Sequence, residues 1–120
     1  INFDFIGGSV GAAEGEAIIY GVQHAIDNQT PYLFFPCGGG QRMFESTIAL
    51  ANMTRTTLAI NELKNNNLPY IVCFTDPTAG GITASFAMLG DIHLAEPGCL
   101  IAFAGKRVIV FGLPGAFTPI

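Results

Sequence analysis

Apolar and polar positions along the chain change period several times, and each change marks an element. Asn2-Phe3-Asp4-Phe5-Ile6 alternates polar and apolar residues, which predicts a half-buried strand, and Gly7 to Gly11 turns the chain. Ala12 to Asn28 carries Ala13, Ala17, Ile18, Gly21, Ala25 and Ile26 at helical spacing, and Asp27 to Pro31 stops that helix. Tyr32 to Pro36 is an unbroken apolar run, read as a buried strand. Cys37-Gly38-Gly39-Gly40 follows it. Arg42 to Asn66 contains no proline and has a helical stripe through Met43, Ile48, Leu50, Ala51, Leu58, Ala59 and Leu63. Pro69 to Thr75 predicts a second buried strand, which runs into Asp76-Pro77-Thr78-Ala79-Gly80-Gly81. Helical spacing returns from Ile82 to Leu89, and Ile92–Ala95 and Leu100–Phe103 read as short strands.

Alternating strands and helices imply an α/β fold with a mostly parallel sheet. Both glycine turns then lie at carboxyl ends of strands, where such sheets bind ligands. Strand, glycines and helix in that order expose backbone N–H groups at a helix start. Such a turn can hold a phosphate, hold the oxyanion of a carbonyl becoming an enolate, or serve only as a tight structural turn. A phosphate loop is excluded because no Gly-Lys-Ser/Thr follows Gly40. The dinucleotide fingerprint is excluded because its third glycine and its acidic ribose ligand are missing.

The side chains near the turns offer little acid–base chemistry. Arg42 is a candidate anchor for a phosphate or carboxylate, or a residue that is solvated or paired. Cys37 is a candidate nucleophile in the manner of a thiol hydrolase, which requires a base. The histidines, His24 within a helix and His93 within a strand, carry no spacing that ties them to Cys37. Asp76 and Asp91 read as capping or surface residues.

Composition narrows the classes. Half of the 120 residues are hydrophobic and 12% are charged, so polar surface is scarce and an interface is expected. A net charge of −4 excludes non-specific nucleic-acid binding through a basic stripe. No apolar run reaches the roughly 18 residues of a membrane-spanning helix. Cys37, Cys73 and Cys99 are far apart, without metal-ligand spacing, and read as reduced, mostly buried thiols. The chain opens within a strand-like segment, with the expectation that its natural N-terminus lies further upstream.

Phe5-Ile6-Gly7-Gly8-Ser9-Val10-Gly11, Gly39-Gly40-Gln41-Arg42-Met43, the run Thr75 to Asp91, Ala95-Glu96-Pro97 and Phe103-Ala104-Gly105 occur in that order. In this the chain resembles the central part of the carboxyltransferase beta subunits of bacterial-type acetyl-CoA carboxylases, over residues 1 to about 109. The resemblance implies a crotonase-like fold, a spiral of strand-strand-helix units, present here as a partial domain (1–109). It implies carboxyl transfer from carboxybiotin, borne by a separate biotin carboxyl carrier protein, to acetyl-CoA, giving malonyl-CoA. Gly39 and Gly40 would be backbone oxyanion donors, with Gly38, Arg42, Gly80 and Gly81 in the substrate cleft. A carboxyltransferase alpha subunit would complete the site, and the compartment would be the cytoplasm, or the plastid stroma in a plant. No metal is implied, because the family's four-cysteine zinc ribbon is not encoded here.

Two departures stand out. The family's Ser-Gly-Gly-Ala-Arg reads Gly38-Gly39-Gly40-Gln41-Arg42 here, bulkier at Gln41. Residues 106–120 resemble a peroxiredoxin strand and Pro-Gly-Ala-Phe-Thr-Pro loop that stops before the peroxidatic cysteine. The segment 110–120 is therefore expected to be an atypical tail, either a chimeric joint or an ordinary apolar strand and turn.

Overall fold

The computed structural model describes residues 1–103 and the strand backbone at 106–107. The segment 110–120 lies outside the described residues. Helix α1 (Ala12–Asn28) follows the expected bounds, and Glu14 caps it by accepting the Gly11 N–H at 2.9 Å. Strand β1 (Tyr32–Phe34), strand β2 (Tyr70–Phe74) and a later strand, Ile92–Ala95, form a parallel sheet in the spatial order first, second, last. Its register places Leu33, Ile71 and Ile92 side by side, with Cys73 beside Leu94. The opposite face carries Tyr32, Phe34, Tyr70, Val72 and Phe74, and the helices pack there.

Helix α2 (Ser46–Asn65) is shorter than expected, because Met43–Glu45 forms a separate 3-10 turn. Its buried face also differs from the apolar stripe. Ala49, Asn52, Thr56, Ile60 and Leu63 point inward, whereas Met43, Ile48, Leu50 and Leu58 are exposed. Two polar residues tolerate the interior because each finds a partner. Asn52 Nδ2 donates to Gly11 O at 2.8 Å and Thr56 Oγ1 to Asn52 O at 2.6 Å. Gly15 makes this crossing possible, since a Cβ there would lie 2.2 Å from Asn52 Oδ1.

A second, smaller sheet was not legible in the sequence. Strand β3 (Thr78–Ala79) lies within what reads as a turn and pairs with a strand at Ile101–Phe103, which pairs in turn with Lys106–Arg107. Numbered in chain order, Ile92–Ala95, Ile101–Phe103 and Lys106–Arg107 are β4, β5 and β6. The helix expected over Ile82–Leu89 is instead a single turn, α3 (Gly80–Thr83), and a 3-10 turn at Phe86–Leu89. The expected N-terminal strand is also a correction. Residues 2–6 form turns leading into a 3-10 turn at Ile6–Gly8, with Phe3, Phe5 and Ile6 exposed, because no described strand lies beside them to accept pairing.

Buried Tyr70, Phe74, Phe86, Ile60, Leu63 and Ile82 make the centre of the core. Phe86 meets Phe34 edge-on at 5.1 Å between ring centroids, and its carbonyl accepts the Tyr70 hydroxyl at 2.9 Å. Burial pushes Tyr32 up to about 12, and Tyr70 higher still. No described helix is long and apolar enough to cross a membrane.

Candidate functional site

Three glycine turns, far apart in sequence, pack against one another at one end of the parallel sheet. Gly7 and Gly8 have φ of 63° and 65°, which places both in the left-handed region. Gly8 abuts the second turn so closely that a Cβ on it would lie 2.1 Å from Cys37 O. The third turn meets the second through Gly80, whose Cβ would lie 2.6 Å from Gly39 O, and through Gly40, whose Cβ would lie 3.2 Å from Gly81 N. The sequence placed both later turns at strand ends. The structure brings them into van der Waals contact.

The segment from Gly38 to Arg42 runs between two neighbours. On one flank Gly39 N donates to Gly7 O at 3.0 Å, Val10 N to Gly40 O at 2.9 Å and Arg42 N to Val10 O at 2.9 Å. On the other flank Gly38 N donates to Pro77 O at 2.7 Å, and Gly38 O accepts Ala79 N at 2.9 Å. These bonds bear on two expectations. Gly39 does not offer a free donor, because Gly7 already occupies its N–H. Gly38 has both backbone groups committed, to Pro77 O and Ala79 N, so it builds the turn.

Gly40 behaves differently. Among the described residues its N–H meets no acceptor, and the same holds for the Gln41 N–H. The N–H groups of Gly80 and Gly81 open the first turn of α3, where no intrahelical acceptor exists, and none is found elsewhere among the described residues. Unpaired donors from two turns thus gather where glycine keeps the backbones close. Such a group of N–H donors can hold an oxyanion.

Arg42 is paired within the protein. It is 7% exposed, and its guanidinium is engaged within the protein. Nη2 reaches Glu14 Oε1 at 2.7 Å and Ser9 O at 2.8 Å, Nη1 reaches Glu45 Oε2 at 2.7 Å, and Nε reaches Ser9 Oγ at 3.1 Å. Phe5 and Phe44 lie 5.4 and 5.9 Å from its central carbon. The hydrogen bond with Glu14, then that with Glu45, raise the Arg42 pKa against the opposing effect of burial. The arginine therefore clamps the protein, with little left for a ligand. Ser9, Glu14 and Glu45 went unnoticed in the sequence; the spacing of Glu14 three residues after Gly11 is a helix-capping signal that could have revealed one of them.

The thiol reading finds no base. Cys37 is buried and its Sγ lies 3.5 Å from Asp76 O. His24 is exposed on α1. His93 accepts the Gly90 N–H on Nε2 at 3.1 Å, and burial holds its pKa below the ordinary imidazole value. Asp76 and Asp91 serve as caps: Asp76 Oδ1 accepts Leu100 N at 2.8 Å, and Asp91 Oδ2 accepts Tyr70 N at 2.8 Å while its other oxygen faces Lys64 at 3.4 Å. No group of three or more His, Cys, Asp or Glu side chains able to hold a metal occurs among the described residues.

Comparison with known proteins agrees with this architecture. The family model of the carboxyl transferase domain matches residues 1–113. The acetyl-coenzyme A carboxylase carboxyl transferase subunit beta of Pelagibacter ubique (strain HTCC1062) is 75% identical over 108 residues, 90% of this chain and 35% of that protein. The subunit beta of Caulobacter vibrioides (strain NA1000 / CB15N) is 59% identical over the same length. The chain thus spans about a third of the length of these relatives. Among solved structures, transcarboxylase 12S with methylmalonyl-coenzyme A and methylmalonic acid bound is 27% identical. It has a TM-score of 0.76, covering 82% of this chain and 19% of that one. The Pseudomonas malonate decarboxylase MdcD-MdcE hetero-dimer, at 24% identity and a TM-score of 0.76 over 88% of this chain and 48% of that one, shares the fold. The fold is the crotonase-like spiral, here a partial domain, and the chain belongs to the carboxyl transferase domain family.

Proposed function

We propose that the longer protein to which this chain corresponds is the beta carboxyltransferase component of an acetyl-CoA carboxylase. Its reaction moves a carboxyl group from carboxybiotin to acetyl-CoA and yields malonyl-CoA. The observation that carries this reading is the meeting of the Gly40–Gln41 and Gly80–Gly81 turns, with N–H groups that find no acceptor, and no side-chain base beside them, among the described residues. Carboxylation at the methyl carbon of a thioester needs an enolate, whose oxygen carries the developing charge. Fixed backbone donors stabilise that charge without reorganising. The N–H groups of Gly40, Gln41 and Gly81 are the donors we assign, with Gly80 shaping the wall between the two turns. Gly39, Gly38 and Arg42 support the turn.

The same donor chemistry fits an anionic ureido oxygen, so biotin borne on a separate carrier protein is a reasonable second occupant; when bound it supplies the activated carboxyl group. The partners in this reading are the carboxyltransferase alpha subunit, the biotin carboxyl carrier protein and acetyl-CoA, and the setting is the cytoplasm.

The test is malonyl-CoA-dependent carboxylation of free biotin, the reverse reaction, by the full-length protein with its alpha partner. Turnover is expected, with a loss of at least about 10²-fold in Gly81→Val, whose side chain would collide with Gln41 and displace the donors by about an ångström. Wild-type turnover in that variant would sink the assignment.

A further inference from the structure

We propose that Arg42 is a positioning residue: without touching substrate, it fixes the Gly40–Gln41 peptide so that the Gln41 N–H is presented beside the Gly80–Gly81 turn. The proposal deepens the oxyanion reading above and rests on it.

The direction of the Gln41 N–H follows from peptide geometry. Gly40 O is held by Val10 N at 2.9 Å, on the flank formed by Gly7 to Val10. The Gly40–Gln41 bond is trans, since Asp76–Pro77 is the cis bond among the described residues. In a trans peptide the C=O and N–H point in opposite directions. The Gln41 N–H therefore points away from Val10, toward the flank that carries Thr78 to Gly81. Gly81 is close on that flank: a Cβ on it would lie 2.7 Å from Gln41 Cγ. The same rule accounts for the Gly38–Gly39 peptide, two before it, where Gly38 O turns to Ala79 and Gly39 N to Gly7.

An isolated bridge, Val10↔Gln41, with the Gly39 N–Gly7 O bond beside it, leaves this flank more freedom than a continuous ladder would. Arg42 removes that freedom. Its backbone N–H bonds Val10 O, and its side chain returns to the same N-terminal segment at Ser9 O, Ser9 Oγ and Glu14. Glu45 closes the other side of the clamp: it binds Arg42 through one oxygen and accepts the Ala12 N–H at 2.9 Å through the other. Glu14 in turn accepts the Gly11 N–H. The Ser9–Ala12 segment and the Gly40–Arg42 turn are thus tied by one planar, multidentate cation. Lysine, a point charge with three donors, does not span these four positions.

The experiment measures kcat and KM for malonyl-CoA-dependent biotin carboxylation, using the full-length protein assembled with its partner chain. Arg42→Gln is expected to lower kcat about 10²-fold, the cost of an ångström-scale misplacement, with KM for malonyl-CoA within about twofold. Glu14→Gln keeps shape and one acceptor, and is expected to lower kcat about tenfold with the same unchanged KM. Methylguanidine is expected to restore part of the kcat lost in Arg42→Ala. If Arg42→Gln does not fold, Glu14→Gln decides by the same split. A raised KM at unchanged kcat overturns the proposal, because Arg42 then contacts substrate, and so does wild-type kcat in both variants. Gly81→Val separates the two levels. Full activity there removes the oxyanion reading itself. Inactivity there, with wild-type kcat in Arg42→Gln and Glu14→Gln, removes only the positioning role.

Discussion

At single residues, close backbone approach and charge pairing give different tests. Gly8 combines a φ of 65° with a Cβ position 2.1 Å from Cys37 O, so Gly8→Ala must move a backbone. A loss of about 3 kcal/mol or more in urea unfolding is expected. Gly39 is the contrasting case, since its Cβ would meet only Gly7 O, at 4.0 Å. Gly39→Ala is expected to stay within about 0.5 kcal/mol of wild type by the same measurement. The Arg42 clamp adds a pH dependence. For Glu45 the Ala12 N–H, and then Arg42, hold the carboxyl below its ordinary value of 4.5. For Glu14 burial acts upward, but hydrogen bonds from Arg42 and the backbone outweigh it and leave the group below 4.5 as well. Depressed carboxylates stabilise the fold above the unfolded value, and that contribution disappears as pH falls through the folded one. The urea midpoint should therefore drop as the medium is acidified below 4.5, and Arg42→Met should flatten that drop. An identical acid dependence in both proteins would refute the link.

Among the elements, α2 shows where apolarity and burial part. Its inward face contains Asn52 and Thr56, fully buried, while Ile48, Leu50 and Leu58 are each about three-fifths exposed. The α1–α2 crossing needs a small residue at Gly15 and a donor at Asn52, so hydrogen bonding and close approach set the rotation of the helix. Asn52→Ala is expected to destabilise by about 1–3 kcal/mol, and Leu58→Lys to be neutral within about 0.5 kcal/mol, in parallel urea titrations. A destabilised Leu58→Lys with a neutral Asn52→Ala would reverse the assigned face. The 3-10 turn at Phe86–Leu89 is similarly tied to the sheet by Phe34 and Tyr70.

At the scale of the molecule, the main imbalance is one face of the parallel sheet, which no element among the described residues covers. Parallel sheets are normally covered on both faces. Here Leu33, Phe35 and Leu94 are 51%, 49% and 45% exposed, next to the half-buried Ile71 and Cys73. The 120-residue chain isolated by itself is expected to self-associate with increasing concentration in sedimentation velocity. Leu33→Lys with Leu94→Lys should reduce that association. A monomer at all concentrations would show that the face is tolerated bare.

The sequence by itself determined the α/β class, both bounds of α1, the cores of β2 and β4, and the two glycine turns of the site. These are local properties, written in hydrophobic period and in residues that permit only certain backbone angles. It also carried the family, through motifs running from Phe5 to Gly105. Only the tertiary structure decided which N–H groups remain free. That depends on neighbours thirty or more residues away: Gly7 takes the Gly39 donor, Val10 takes the Gly40 carbonyl, and Pro77 and Ala79 take the two groups of Gly38. The role of Arg42 was hidden for the same reason, since its partners at Ser9 and Glu14 adjoin it only after Val10 and Gln41 have paired. Period and propensity report what a segment prefers, whereas hydrogen-bond competition between distant segments decides what is left to bind.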